Sequence, residues 1–179
     1  AGAVYVVWGK GGTSAVNLSS VAAGTGGFKI IGADNNDAVG SSIGTVSDMN
    51  GDGKAEILIG VPEGGSGGSK SGMVYVVFGK STGTSVDLNT IAAGTGGFAI
   101  VGMTDDKAGA TVTGLGDVNA DGRGDFLISA PNADHAYVVF GKADGATVDL
   151  TTVAAGIGGF EIIAEQPGDL DRISVAGGA

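Results

Sequence analysis

Short apolar runs separated by turn residues dominate the chain. Two blocks recur three times each, one over 5–10, 75–80 and 137–142, the other over 21–28, 91–98 and 153–160. The copies of each block are 70 and then 62 residues apart, a regularity that chance does not produce. The chain is therefore built from repeats.

A third element lies between these blocks and is present twice in full. It runs over 40–60 and again over 109–130, and each copy holds an acidic loop between two apolar runs. A segment over 172–176 aligns with its start. Each complete repeat predicts four short strands, because Val, Ile, Tyr and Phe dominate the runs while Gly, Asn, Asp and Pro separate them. In the first complete repeat these strands are predicted over 40–46, 56–60, 73–78 and 98–101.

The central runs, such as Tyr75 to Phe78, are apolar on both faces, which is typical of a strand buried on both sides. Four-stranded sheets that stack face to face around an axis bury both faces, as in a β-propeller. We therefore predict an all-β fold of four-stranded antiparallel blades, a partial propeller of about three blades. Helix is limited to one short turn at 21–23 and 91–93, capped by Asn17 or Asn89. The expected divisions are a partial blade over 1–33, blades over 34–103 and 104–165, and the start of a further blade over 166–179.

Two acidic loops carry the candidate chemistry. They run from Asp48 to Glu56 and from Asp117 to Asp125, with oxygen-bearing side chains at loop positions 1, 3, 5 and 9 and Gly at position 6. Calcium takes about 6–8 oxygen ligands, and ligands from alternate residues let one tight loop wrap the ion. The main-chain carbonyl at position 7 would add a ligand while its side-chain charge points to solvent. The alternative is an Asp/Asn/Gly-rich hairpin turn without metal. Magnesium is disfavoured because it resists full protein coordination.

Composition narrows the classes of partner. The 37 Gly residues and 42% hydrophobic content fit a folded protein with many tight turns. The net charge of −10 disfavours nucleic acid and anionic membranes as partners. The absence of Cys excludes disulfides and thiolate sites, and with the single His135 it disfavours zinc.

No apolar run approaches the ~20 residues of a membrane helix, so membrane insertion is not expected. No targeting segment is visible, so any such segment has been removed or lies elsewhere.

Three motifs occur in both complete copies. They are 39–43, the loop 48–56 and Ile59-Gly60-Val61-Pro62 in the first, with 108–112, the loop 117–125 and Ser129-Ala130-Pro131 in the second. In these motifs the sequence resembles the FG-GAP repeat family, the repeat of integrin α-subunit propellers and many bacterial surface proteins. The resemblance implies a propeller of about seven blades in the complete protein, with calcium in the hairpin between the first two strands of a blade. The implied ligands are Asp48, Asn50, Asp52, Lys54 (main chain) and Glu56 in one loop, and Asp117, Asn119, Asp121, Arg123 (main chain) and Asp125 in the other.

The sequence departs from the family pattern at several positions. Glu56 stands where the family usually has Asp, Val39 and Ala108 stand where Phe is expected, and Val61 and Ser129 alter the Gly-Ala-Pro signature. The chain holds the last two strands of one blade, two whole blades and the first strand of another. Because fewer than four blades do not close a ring, we expect either a fragment of a longer chain or self-association through exposed blade faces.

Other residues have simpler interpretations. Arg123-Gly124-Asp125 spells an integrin-ligand tripeptide, but Asp125 is better explained as a calcium ligand. His135 is predicted to be a surface histidine. Trp8, Phe78 and Phe140 are expected in the core, and Lys10, Lys80 and Lys142 in solvent. The acidic residues before the first strand of each repeat could pair as glycosidase carboxylates, but their recurrence favours a role in turns; they are Asp34, Asp37, Asp105, Asp106 and Asp169.

These observations predict a calcium-stabilised propeller segment of an extracellular or cell-surface protein. Its loops would mediate adhesion or bind a protein or glycan whose identity stays open. We expect no enzyme activity, no catalytic residue and no cofactor besides Ca²⁺, since a catalytic site would break the repeat symmetry. The alternatives are the repeat region of a secreted polysaccharide-degrading enzyme and a self-assembling surface or filament protein.

Overall fold

Short β-strands make up most of the regular structure. The computed structural model describes residues 2–33, 38–65, 70–166 and 168. The strands in this part of the chain are β1 (Ala3–Val7), β2 (Gly27–Ile31), β3 (Ser42–Val46), β4 (Glu56–Val61), β5 (Met73–Val77), β6 (Val86–Asp87), β7 (Gly97–Val101), β8 (Val112–Gly116), β9 (Asp125–Ala130), β10 (His135–Val139), β11 (Val148–Asp149) and β12 (Gly159–Ile163). The helices are α1 (Leu18–Ala22), α2 (Leu88–Ala92) and α3 (Leu150–Ala154), with a 3₁₀ turn at Pro131–Ala133.

The strands form three sheets, and in each the long neighbouring strands are antiparallel. The first sheet has the order β1-β2-β6, the second β11-β7-β5-β4-β3, and the third β12-β10-β9-β8. In the second sheet β3, β4, β5 and β7 are the four strands predicted for a repeat, displaced by no more than two residues at either end. The mostly antiparallel β prediction is confirmed, whereas closure into a propeller stays a prediction. The strand predicted over 172–176 lies outside the described residues.

Two short parallel strands were missed by the sequence analysis. Val86 pairs with Ile30 of the first sheet, and Val148 pairs with Ile100 of the second. In both cases the chain leaves its own sheet, adds two residues to the preceding sheet, and returns through a helix. A two-residue strand has no detectable period, so the pattern of apolar positions could not reveal it. These crossings tie each sheet to the next.

The three α-helices are five residues long and begin at side-chain caps. The Asn17 side chain accepts a hydrogen bond from the Ser19 N–H at 2.9 Å, as predicted. The cap of α2 is Asp87 instead of Asn89, because the Asp87 carboxylate accepts from the Asn89 N–H at 2.9 Å. Within the part of the chain that the structure describes, no helix has the length and apolar character needed to cross a membrane.

The central strands are buried on both faces. In β5, Val74 and Val76 face a core shared with the third sheet, while Tyr75 and Val77 face a core shared with the first sheet. Alternate residues of one strand therefore bury opposite faces of the sheet. β10 is also almost fully buried, which confirms the two-face prediction for the second and third copies.

The aromatic residues after these strands are less buried than predicted. Trp8 is 37% exposed, and Phe78 and Phe140 are half-buried, with Phe78 packed against the edge of the core. The outer faces of the first and third sheets also carry exposed apolar side chains, including Val7 and Ile162. The prediction that all three aromatics lie in the core was wrong, because each follows the end of its strand and lies at the rim of the sheet.

Candidate metal centre

The first acidic loop, residues 48–56, joins β3 to β4 and folds around the Asp48 carboxylate. Its Oδ1 accepts hydrogen bonds from the N–H groups of Gly51 at 2.7 Å and Asp52 at 3.1 Å, and its Oδ2 accepts from Gly53 at 2.8 Å. These hydrogen bonds stabilise the ionised carboxylate and so lower the pKa of Asp48, and the bond from Gly53 has the largest effect. Gly53, at position 6 of the loop, has a φ of +81°, a left-handed conformation that glycine adopts without steric cost.

The next two polar residues of the loop, Asn50 and Asp52, also accept hydrogen bonds from the loop backbone. Asn50 Oδ1 accepts from the Asp52 N–H at 2.9 Å, and Asp52 Oδ1 accepts from the Lys54 N–H at 2.9 Å. The Lys54 ammonium lies 3.3 Å from Asp52 Oδ2 at the surface. Asn50 and Asp52 thus each accept a hydrogen bond from the N–H two residues ahead, which shapes the loop into successive tight turns.

Glu56 closes the loop from the first residue of β4. Its side chain is fully buried, and Oε2 accepts a hydrogen bond from the Met49 N–H at 2.8 Å. Oε1 is also buried and accepts no hydrogen bond of normal geometry among the described residues, although the nearby Gly79 N–H acts to lower the pKa of this carboxyl. Burial raises the pKa of Glu56, since the charged form is separated from water. An unpartnered buried carboxylate oxygen is costly unless a cation or donor satisfies it.

Three carboxylates of this loop converge. One oxygen each from Asp48, Asp52 and Glu56 lies within 4.8 Å of the other two. Carboxylates so close together repel one another when ionised, and a hard divalent cation relieves that repulsion. The all-oxygen donor set and the unpartnered Glu56 oxygen fit calcium better than a softer metal.

The second acidic loop, residues 117–125, joins β8 to β9 and repeats most of this arrangement. Asp117 accepts from the Asp121 N–H at 3.1 Å and the Gly122 N–H at 2.8 Å, and Asp121 accepts from the Arg123 N–H at 2.9 Å. Asn119 also accepts from the Asp121 N–H at 2.9 Å. The first seven positions of the two loops therefore share these hydrogen bonds.

The loops differ at position 9. Asp125 is fully buried, and its two oxygens accept hydrogen bonds from the N–H groups of Val118 and Gly141, each at 2.8 Å. The side chain of Glu56 is one methylene longer and keeps one oxygen unpartnered. Across the described residues, only the first loop brings three carboxylates within 4.8 Å. Each Asp125 oxygen still has a second lone pair that could contact a cation.

The position-7 side chains do not both point to solvent. The Lys54 ammonium pairs with Asp52 of its own loop, but the Arg123 guanidinium donates from Nη1 to the main-chain carbonyl of Met49 in the first loop, at 2.6 Å. The solvent prediction was therefore wrong for Arg123. Because Arg123 is hydrogen-bonded to Met49 and Asp125 is fully buried, the carboxylate of the Arg-Gly-Asp tripeptide is not accessible from the surface.

His135 belongs to a polar cluster instead of standing alone on the surface. Its Nδ1 lies 2.7 Å from Glu161 Oε1 and 3.3 Å from the Tyr137 hydroxyl. Burial raises the pKa of Tyr137 and that of the nearby buried Asp106. Asp105 lies in a turn with a φ of +66°. Asp34, Asp37 and Asp169 lie outside the described residues.

Two of the repeated lysines bridge neighbouring sheets. The Lys80 ammonium lies 4.9 Å from the centre of the Phe28 ring, and that of Lys142 lies 4.6 Å from the Phe98 ring. Each lysine follows the central strand of one sheet and reaches the phenylalanine of the preceding sheet, a cation–π contact. The prediction that these lysines are solvated was wrong for both, while Lys10 is exposed. Their recurrence beside the Phe blocks was the only sequence signal for this contact.

Comparison with known families agrees with this geometry. The model of the FG-GAP repeat family matches residues 39–77, which hold β3, the first acidic loop, β4 and β5. The chain contains an FG-GAP repeat. The second acidic loop lies outside the FG-GAP match, although its spacing is the same. No curated protein sequence matches the chain.

Proposed function

We propose that the chain is a calcium-binding segment of a β-propeller in an extracellular or cell-surface protein, where it mediates adhesion or binds a protein or glycan. The observation that carries the calcium proposal is the buried Glu56 carboxylate. Its Oε1 has no hydrogen-bond partner among the described residues. One oxygen of its carboxylate lies within 4.8 Å of one oxygen each of Asp48 and Asp52. Loop 117–125 is the second proposed site because it shares the loop conformation.

The proposed ligands are the ones that the spacing predicts. The side chains of Asp48, Asn50, Asp52 and Glu56 and the carbonyl of Lys54 would hold the ion in the first loop. Bound calcium would supply the divalent charge that balances the three carboxylates and would tie β3 to β4. The second set would be Asp117, Asn119, Asp121, Asp125 and the carbonyl of Arg123.

The architecture supports the propeller part of the proposal. Three antiparallel sheets stack face to face with a separate apolar core in each interface. Further sheets added in the same way would extend the stack. FG-GAP repeats are typical of extracellular proteins, which supports a secreted location. The loops between strands are the surfaces on which a ligand would be bound.

Calcium should stabilise the protein against unfolding. Ligand at 100 times its Kd adds about 2.7 kcal/mol per site to the free energy of unfolding when only the folded state binds. Thermal unfolding in EDTA and in increasing calcium, followed by circular dichroism, should therefore show a rising Tm. Magnesium should give a smaller rise. The double substitution Asp52→Ala with Asp121→Ala should abolish the calcium response, and a wild-type Tm that calcium leaves unchanged would refute the proposal.

Replacement of Glu56 by glutamine should raise the stability of the metal-free protein and reduce the stabilisation that calcium provides. In EDTA at neutral pH it removes a buried charge that faces two other carboxylates, so the free energy of unfolding should rise by about 1 kcal/mol or more. In calcium the variant should gain less stability than the wild type, because a ligand charge is lost. Urea denaturation in both buffers measures the two effects.

The pH dependence has a defined sign. Because the pKa of Glu56 is raised in the folded state, the folded protein holds this proton more tightly than the unfolded chain does. The metal-free wild type should therefore gain stability relative to Glu56→Gln as the pH falls towards 4.5, the usual value for a glutamate. Glu63→Gln is the matched control, since Glu63 only pairs with Lys107 at the surface at 2.8 Å. Equal responses of the two variants would contradict the assigned role of Glu56.

A further inference from the structure

The two acidic loops touch each other where the second and third sheets meet. Arg123 of the second loop donates its guanidinium N–H to the Met49 carbonyl of the first loop at 2.6 Å. The adjacent Gly124 N–H donates to the Asp48 carbonyl at 3.3 Å. The end of one loop is thus bonded to the beginning of the other.

Both backbone groups of Met49, its N–H and its carbonyl, are hydrogen-bonded. Its N–H donates to Glu56 Oε2 at 2.8 Å, its carbonyl accepts from Arg123, and its side chain is fully buried. Met49 lies between Asp48 and Asn50, two of the proposed ligands. The contact with Arg123 therefore fixes the segment that orients these ligands.

Gly124 lets the two loops approach closely. A Cβ atom at this position would lie 2.2 Å from the Ser47 carbonyl oxygen and 2.5 Å from its hydroxyl, so only glycine fits. Arg123 and Gly124 therefore contact the first loop, whereas the next residue, Asp125, bonds to Val118 within the second loop. Movement of the second loop at these residues would be transmitted to residues 47–49.

We propose that the two loops form a coupled pair, in which cation binding at 117–125 raises the calcium affinity of 48–56 and Arg123 is the positioning residue. The inference rests on the proposed calcium function. Binding in the second loop would order the backbone around Arg123, so the first loop would lose less conformational freedom when it binds. Coupling is reciprocal, so occupation of the first loop raises the affinity of the second by the same factor.

Calcium titrations of the full chain that resolve the two loops test this coupling. The NMR signals of the Gly53 and Gly122 amides, which donate to Asp48 and Asp117, report the loops separately. Asp121→Ala should abolish binding in the second loop and lower the affinity of the first by about 5-fold or more. Arg123→Ala should lower the affinity of the first loop similarly, because it removes the bond to the Met49 carbonyl, while the second loop keeps all its proposed ligands, including the main-chain carbonyl at position 123.

The equivalent variant in the other loop is the matched control. Lys54 occupies the same loop position as Arg123, but its ammonium pairs with Asp52 of its own loop. Lys54→Ala keeps the main-chain carbonyl and removes no bond between the loops, so it should leave the affinity of the second loop unchanged. In the double variant Asp121→Ala with Arg123→Ala, the loss of affinity at the first loop should be smaller than the sum of the two single losses, because both substitutions interrupt the same contact.

Two failures would be distinguishable. If neither loop of the wild type binds calcium, the proposed function fails and the coupling fails with it. If both loops bind but Arg123→Ala leaves the first loop unchanged or strengthens it, the coupling is overturned while the calcium function stands. Strengthening would mean that the positive charge of Arg123 repels the ion more than its hydrogen bond organises the loop.

Discussion

Replacement of Asp125 by alanine should lower the free energy of unfolding by about 2–6 kcal/mol in calcium-free buffer. The substitution removes the acceptor for two N–H groups, those of Val118 and Gly141, which bond to the fully buried carboxylate at 2.8 Å. A hydrogen bond to a charged group contributes about 1.5–3 kcal/mol, and here the bond from Gly141 is buried and that from Val118 is part-buried. Urea denaturation in EDTA, followed by circular dichroism, measures the loss without a contribution from metal.

Two variants separate hydrogen bonding from other effects of the Asp125 substitution. Asp121→Ala removes an exposed carboxylate from the same loop and should cost much less in EDTA. Asp125→Asn keeps the shape but can accept only one of the two bonds with its single oxygen, so its loss should be intermediate. If Asp125→Ala were no more destabilising than Asp121→Ala, the carboxylate would not be the structural anchor of this loop.

The repeated strands could be predicted because each carries its own signal. Runs such as Tyr75 to Val77 are apolar and bounded by turn residues, and the chain offers three copies for comparison. The same argument located both acidic loops, since Asp48 and Asp117 form the same local turns. Local hydrogen bonds of this kind follow from a few neighbouring residues, so a single sequence is enough to predict them.

Contacts between repeats could not be predicted in this way. The Arg123 side chain bonds to a carbonyl 74 residues away, and Lys80 reaches the ring of Phe28 in another sheet. Nothing in the local sequence separates Arg123 from Lys54, which has the same loop position and a different partner. Such pairs depend on how the sheets stack, which a pattern of apolar positions leaves open. The unequal roles of Glu56 and Asp125 have a different origin, because Gly141 follows β10 in the same sheet as Asp125 and the two position-9 side chains differ by one methylene.

Replacement of Gly97 by alanine should cost at least about 3 kcal/mol and lower the Tm by roughly 6–12 °C. Gly97 begins β7 opposite Val77, with a φ of +154° that side-chain residues rarely adopt. An added Cβ would lie 2.0 Å from the Val76 carbonyl oxygen. Because that contact involves backbone, it cannot be relieved by a rotamer change, and β5 and β7 would have to separate in the middle of the second sheet. Thermal unfolding measures the loss.

Its neighbour supplies the control. Gly96 also has a positive φ, +76°, but the nearest atom to its added Cβ is Ile91 Cδ1 at 3.7 Å. Gly96→Ala should therefore cost only the conformational strain of about 1–2 kcal/mol. The equivalent positions Gly27 and Gly159 make the same 2.0 Å approach to a carbonyl, so alanine there should also destabilise the protein more than at Gly96. Equal losses at Gly96 and Gly97 would mean that backbone conformation alone, and not contact with the neighbouring strand, requires glycine in this repeated turn.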